Sequence, residues 1–308
     1  MTRTAMTKAK LGRRILKNYQ LYLLLIPVVC YYVIFHYIPM YGVTLAFKSY
    51  NVKQGILGSP WVGLQYFKRF FTSYDSGQII INTLRLSVYG IVAGFPAPIL
   101  LSLLVNEIRS SAVKKTVQTV TYAPHFISTV VFVAMINMFL SPSAGVINLL
   151  IDLLGGERIH FMGIEKYFDT IYVLSGIWQQ AGWNSIIYLA ALSSVDTQLY
   201  DAAYIDGVNR LQKIWHIDFP CILPTAVIML IMNSGNVMNV GFQKIFLMQN
   251  NMNIYSTQVI STYVYNVGLV KGNFSYATAI GLFNSVVSII MVLSVNAIAK
   301  KVGETSLW

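Results

Sequence analysis

Charge is what this chain has least of. Asp, Glu, Lys and Arg supply 11% of its 308 residues, against about a quarter in ordinary soluble domains. Acids are scarcer than bases, 11 against 22. There are only two cysteines, Cys30 and Cys221, both inside apolar runs, which excludes a disulfide scaffold. The four histidines, His36, His125, His160 and His216, are scattered and offer no zinc-type spacing. A Gly-x4-Gly-Lys-Ser/Thr phosphate loop is missing, so the chain has no such means of hydrolysing ATP itself. Gly-x-Ser-x-Gly, His-Glu-x-x-His and paired acids are missing from the apolar stretches, which argues against a membrane-embedded hydrolase. No internal repeat or low-complexity segment stands out.

Apolar residues are what the chain does have. They make up 56% of it, and the mean hydropathy is +0.59. That content excludes disorder and points to an integral membrane protein. A helix needs about 20 mostly apolar residues to cross a bilayer. Six stretches qualify: 21–46, 79–105, 117–140, 170–194, 219–243 and 276–299. They are too long and too continuous for barrel strands. The expected fold is therefore all-α with six transmembrane helices. None of the six carries Asp or Glu well inside. Arg85 lies about 9 Å into the second stretch, close enough to snorkel to the interface.

Lys and Arg orient the spans, because cytoplasmic segments accumulate them. One side collects Arg3, Lys8, Lys10, Arg13, Arg14, Lys17, Arg109, Lys114, Lys115, Arg210, Lys213, Lys300 and Lys301. The other has Lys48, Lys53, Lys68, Arg69, Arg158, Lys166 and Lys271, in longer loops. Both termini are expected in the cytoplasm. The net charge of +11 reads as topology, with anionic membrane lipid as its partner. The bases form no single face, so no nucleic-acid partner is expected. A basic start followed by an apolar core is also the pattern of a signal peptide. Here the core is too long and no small-x-small cleavage site follows, which makes it an uncleaved first span.

Three outer connections are long: 47–78, 141–169 and 244–275. The first contains Gly58-Ser-Pro-Trp-Val-Gly63, which marks turns. Tyr66-Phe67-Lys68-Arg69-Phe70-Phe71 follows and suits a short interfacial helix. The first span can be peripheral to a core of five. The inner connection between the fourth and fifth spans is of another kind. Ser194 or Asp196 can cap a short helix there, and Gly207 can supply the left-handed residue that ends it. Leu199, Ala202, Ala203 and Ile205 give it an apolar side, while Asp201 and Asp206 are polar. Such a helix is either a docking element or an interfacial loop, and its composition does not choose.

Its spacing resembles a known pattern. Asp201-Ala202-Ala203, then Gly207, Ile217 and Pro220, resembles the "EAA" loop of ABC-importer permeases: Glu-Ala-Ala, three residues, Gly, nine residues, Ile, one residue, Leu-Pro. Asp206 and Pro224 also match common members. Asp201 stands for Glu, one methylene shorter, and Phe219 stands for Leu. Further segments are similar to permeases for complex oligosaccharides: Tyr19-Gln-Leu-Tyr-Leu-Leu-Leu-Ile-Pro27, Tyr37-Ile-Pro-Met-Tyr-Gly42, Gly94-Phe-Pro-Ala-Pro98, Val117-Gln-Thr-Val-Thr-Tyr-Ala-Pro-His-Phe-Ile-Ser128, Asn239-Val-Gly-Phe242, Val259-Ile-Ser-Thr-Tyr-Val-Tyr265 and Ser306-Leu-Trp308. The resemblance covers almost the whole chain. It implies a non-catalytic permease subunit of a type I ABC importer for a sugar or oligosaccharide, in a bacterial cell membrane. The implied partners are a second homologous permease, a pair of ATPase subunits holding ATP and Mg, and an external solute-binding protein. No cofactor is then bound by this chain. The implied organisation is a tail, first helix and outer loop over 1–78, a five-helix core over 79–299 with its coupling loop at 195–220, and a C-terminal tail over 300–308. Asp201, Ala202, Ala203, Asp206 and Gly207 would meet the ATPase.

A sugar pathway needs amides for hydroxyls and aromatic rings for sugar faces. The fifth span offers Asn233, Asn236, Asn239 and Gln243 at spacings of three and four, a helical stripe. The sixth offers Asn284 and Ser288, and the fourth Trp178, Gln179, Gln180, Trp183 and Asn184. Amides inside membranes also serve as hydrogen-bonding glue between helices, and both roles stay open. His125 reads as a hydrogen-bonded core residue, and Met229, Met232 and Met238 as packing. An ion-coupled secondary transporter is the competing class. It would want an embedded carboxylate or repeats with broken helices, and neither stands out.

Overall fold

The computed structural model describes residues 18–303. The basic positions from Arg3 to Lys17 and the closing Ser306-Leu-Trp308 lie outside the described residues. Every regular element among the described residues is helical, apart from one antiparallel bridge between Lys48 and Trp61. In chain order the main rods are α1 (Tyr19–Phe47), α2 (Ser76–Asn106), α3 (Ser111–Phe126) and α4 (Thr129–Phe139). They are followed by α5 (Glu165–Ser193), α6 (Thr197–Ile205), α7 (Arg210–Ser234), α8 (Phe242–Met248) and α9 (Phe274–Lys301). Four of them, α1, α2, α7 and α9, are long and apolar enough to cross a bilayer. The α3–α4 pair makes a fifth if it counts as one broken span. Helix α5, at 29 residues, is about 43 Å long. It has the length of a span, but its amides leave it less apolar.

Two of the expected spans take another form. The stretch 117–140 is not one straight helix. The chain bends by 99° between α3 and α4. Pro124 sits in a tight 3₁₀ turn, Ile127 and Ser128 are extended, and the Ser128 hydroxyl caps α4 by accepting from the Val131 amide. Proline cannot continue the ladder of hydrogen bonds, and the serine restarts it. The stretch 219–243 is displaced. Its helix starts at Arg210, where Asn209 and Gln212 form a reciprocal capping box, and stops at Ser234. Turns occupy 235–238 before α8 begins.

Helix α5 is the centre of the bundle, packed against α2, α3 and α7. Its approach to α3 is so close that a Cβ on Gly182 would fall on the Thr121 carbonyl, and only glycine permits this. One apolar core lies near the inner end, with Leu103, Tyr188, Leu192 and Ile222. Two others lie toward the outer end, around Phe168 and Ile245 and around Phe70 and Ile260. Phe70 comes from the expected aromatic helix, Gln65–Phe71, which lies on α9 rather than only at an interface. Helix α1 stands apart. None of its residues from Tyr19 to Met40 is buried, and it joins the bundle through Tyr41–Phe47 against α9.

The outer connections are held by buried side chains that take up backbone groups. Lys48 is buried and donates to the carbonyls of Ile56 and Leu57 at 2.8 and 3.1 Å. Asn82 on α2 donates to those of Tyr255 and Gln258 at 3.0 and 3.1 Å, and its neighbour Thr83 accepts from the Ile260 amide. Asn253 reaches Met162 and Met248. Arg85 does not snorkel alone: it pairs with Asp169 at 2.6 Å and donates to the Ser256 carbonyl. Leaving buried carbonyls unmet costs about 1–3 kcal/mol. Asn82→Ala is therefore expected to lower the melting temperature of the purified protein in detergent. An unchanged melting temperature would show that Asn82 does not hold the outer segment.

Candidate functional site

The candidate site has two parts joined by the same helices. The inner part is α6, which lies between the end of α5 and the start of α7. Asp196 caps it by accepting from the Gln198 amide at 2.9 Å. Its other end closes on Gly207, at φ +69°. The Gly207 amide donates to Tyr204 and the Val208 amide to Ala203, the paired bonds of a Schellman ending. The Asn209–Gln212 capping box begins the next helix at once. Two helix ends are thus closed within a few residues, which fixes α6 at a defined angle to α7.

The expected apolar side of α6 is only partly turned inward. Ala203 is its one buried residue, and Leu199 and Ile205 are exposed. Leu199, Ala202, Asp206 and Gly207 instead face an open groove of about 530 Å³ completed by Gln212 and His216. Asp201 is exposed on the helix. The tip is apolar: Tyr204 is 88% exposed and Ile205 83%. Tyr204 escaped the sequence reading, because an aromatic residue in an amphipathic helix gives no sign of which way it points. Beneath α6 the Tyr200 hydroxyl donates to Asp218 Oδ1 at 2.6 Å. Burial and the Asp218 carboxylate push the Tyr200 phenol well above its ordinary range.

The second part is a cavity of about 340 Å³ between α2, α5 and α7. Gly90 and Gly94 form its α2 wall, halfway along that helix. Helix α5 contributes Tyr172, Gln180, Asn184 and Tyr188. Asn233, Asn236 and Asn239 line the opposite side. They are not on one helical stripe, since α7 ends at Ser234. Asn233 is on the helix, Asn236 is in the turn, and Asn239 lies beyond it. The turn folds back so that all three still meet the cavity. Gln243, on α8, is exposed and outside that lining.

Helix rotation separates neighbouring residues of α5. Trp178 stacks on Phe132, and buried Gln179 donates to the Ile127 carbonyl at 3.1 Å, both outside the cavity. Gln180 faces the cavity and meets His125 Nδ1 at 2.9 Å, while the His125 ring stacks on Trp183. Asn284 is buried and donates to Asn239 Oδ1 at 2.8 Å. It also lines a second cavity, of about 650 Å³, against α9. The side-chain amides of Asn184, Asn233 and Asn236 have no hydrogen-bond partner among the described residues. No three His, Cys, Asp or Glu side chains come together among those residues in a way that could hold a metal ion.

Residues 88–304 match the family of binding-protein-dependent transport system inner membrane components. Two proteins of Bacillus subtilis (strain 168) are similar. One is a polygalacturonan/rhamnogalacturonan transport system permease protein, YteP, 43% identical over 98% of this chain and 95% of that protein. The other is the protein LplB, 43% identical over 94% of this chain and 91% of its own length. A chain in the crystal structure of a bacterial ABC transporter involved in importing the acidic polysaccharide alginate superposes with a TM-score of 0.89. It has 39% identity and covers 96% of this chain and 99% of that one. A second structure shows the alginate transporter in complex with a periplasmic protein bound to an alginate pentasaccharide, at 38% identity and the same TM-score.

The Gly207 ending yields a local prediction. A Cβ there would meet open space, so the backbone conformation alone resists substitution. A left-handed residue other than glycine costs about 1–2 kcal/mol, least for asparagine. Gly207→Val is expected to speed amide exchange across 197–208 by roughly 5- to 30-fold, and Gly207→Asn to leave it near the wild-type rate. Equal exchange in both variants would mean that Gly207 is not what closes α6.

Proposed function

The chain belongs to the family of binding-protein-dependent transport system inner membrane components, and from that premise we propose the following reading. It is the membrane-spanning permease subunit of an ATP-driven importer, set in a bacterial cell membrane, for a sugar or oligosaccharide. An external binding protein delivers the cargo. The permease family is non-catalytic, and ATP with Mg is held by a separate pair of ATPase subunits. A second, homologous permease completes the pore. Helix α5 is the fourth of six spans, with α3 and α4 together forming one broken span before it, and both termini lie in the cytoplasm. The core occupies 79–299 and its coupling loop 195–220, preceded by 1–78 and followed by the tail at 300–308.

One observation carries this reading. Helix α6 is inserted between α5 and α7, and these two helices supply most of the amides of the cavity. A push on the exposed tip at Tyr204 and Ile205 therefore reaches both walls of the pathway. Asp201, Ala202, Asp206 and Gly207 form the docking surface, with buried Ala203 packed beneath them: small residues allow close approach, and the two acids meet basic groups of the ATPase. Asn184, Asn233 and Asn236 receive the cargo's hydroxyls. Lipid could not satisfy these amides, and polar groups in a span face a wet cavity or the bundle interior. Gln179 and Asn284, whose amide nitrogens already donate to neighbouring segments, act as glue between helices.

Purification through a tag on this chain, with mass spectrometry of what co-elutes, tests the assembly. A second permease and an ATPase are expected, with the ATPase lost when 201–207 is replaced. A chain that purifies alone under every nucleotide condition would overturn the reading in favour of a secondary transporter. Asn236→Ala tests the pathway. It is expected to lower uptake while leaving the assembled complex at wild-type yield, and loss of assembly instead would make Asn236 part of the glue.

A further inference from the structure

A polar cluster at the inner end of the bundle ties three segments that are separate in sequence. From the end of α2 come Asn106 and Glu107. From α6 comes Tyr200, and from the start of α7 come Lys213 and Asp218. The Tyr200 hydroxyl donates to Asp218 Oδ1 at 2.6 Å, and Asp218 is 0% exposed. Lys213 forms an ion pair with Glu107, and its ammonium lies 5.1 Å from the centre of the Tyr200 ring. The Asn106 side chain lies against both Tyr200 and Asp218. The five side chains thus form a continuous bridge from α2 through α6 to α7. Asp218 also ends a π-helical turn, Ile214–Asp218, in the lower part of α7. Such widened turns are uncommon and concentrate at functional sites.

The bridge matters because α6 has little else to hold it. Ala203 is its only buried residue; Tyr200 is half-buried in the cluster, and Leu199, Tyr204 and Ile205 are exposed. A short helix in contact with a moving partner transmits force only if it cannot slide or tilt against the helices it drives. The acceptor of the Tyr200 hydroxyl is fully buried, so water does not compete for it from the Asp218 side.

We infer that Tyr200 and Asp218 are positioning residues for energy coupling: their hydrogen bond, backed by the Lys213–Glu107 pair, locks α6 to α2 and α7 so that the three move as one body. The inference rests on the importer reading above and adds to it the element that carries the motion. It needs neither residue to touch ATPase or cargo.

The test uses the complex co-purified through this chain, with Cys30 and Cys221 replaced by serine and Ala181→Cys placed in the cavity wall. A membrane-impermeant thiol reagent reports cavity access with and without a non-hydrolysable ATP analogue and magnesium. With Tyr200 present, nucleotide is expected to change the labelling rate of position 181 by about tenfold, within the usual range for coupling between sites. In Y200F, which keeps the ring and loses only the hydroxyl, the ATPase should still co-purify and bind the analogue while labelling no longer responds. Asp218→Leu should behave alike, and the double variant should be no worse than either single one, as expected for two halves of one interaction. A Y200F complex that responds like its parent, singles whose effects add, or a Y200F chain that no longer holds the ATPase would each overturn the lock. An absent ATPase, or no nucleotide response, in the parent complex would instead overturn the importer reading, and the lock with it.

Discussion

Backbone that leaves a helix inside a membrane must find its hydrogen bonds within the protein, because lipid offers none. Most of what distinguishes this chain from a plain bundle of apolar rods follows from that constraint. The chain departs from helix between α3 and α4, after α7, and through the connection that leads to α9. At each departure a side chain takes the released group. Gln179 takes the Ile127 carbonyl, and Ser87 takes that of Val237. Asn82 and Asn253 take four between them. The amides and hydroxyls that look extravagant in so apolar a sequence are what allow it to bend.

The same constraint separates the two uses of amides that composition cannot distinguish. An amide already bonded to a neighbouring helix is structure, and an amide with its groups open toward a cavity is available to a hydroxyl-rich cargo. Gln179 and Gln180 are adjacent, of identical chemistry, and about 100° apart around the helix axis. One closes the break after Phe126, and the other lines the cavity with its oxygen 2.9 Å from His125 Nδ1. No property of the two residues predicts this. It depends on how α5 is rotated, and that rotation is fixed by contacts such as Gly182 against α3.

Legibility in the sequence therefore tracks range. Features set within a few residues were readable. The apolar runs foretold α1, α2, α5 and α9 to within a few positions. Asp196 and Gly207 announced the ends of α6 because caps are local chemistry. The interruption after Pro124 could have been read from the proline and the Ser128 that follows, had the apolar run not outweighed them. What needed the third dimension was not readable. The spacing of Asn233, Asn236 and Asn239 looked like a helical stripe, yet the helix stops at Ser234, and the three meet only because the turn folds back. The Tyr200–Asp218 bond joins residues 18 positions apart across two helix ends. In sequence Tyr200 is one aromatic residue among many.

The chemistry of the cavity finally bears on where the energy for transport enters. Its lining contains amides, hydroxyls, tyrosines and apolar side chains, and no Asp, Glu, His, Lys or Arg. A pathway driven by protons needs a group there that changes charge as the proton binds. Arg85 and Asp169, the charged pair reaching into the outer part of the bundle, are bound to each other and to the Ser256 carbonyl. On the proposed reading its amides meet a hydroxylated cargo, and Lys244, which donates to the Tyr172 carbonyl, lies just behind that lining. On that reading, work arrives along the helices that form its walls. The element inserted between two of those walls, capped at both ends and presenting an apolar tip outward, is α6.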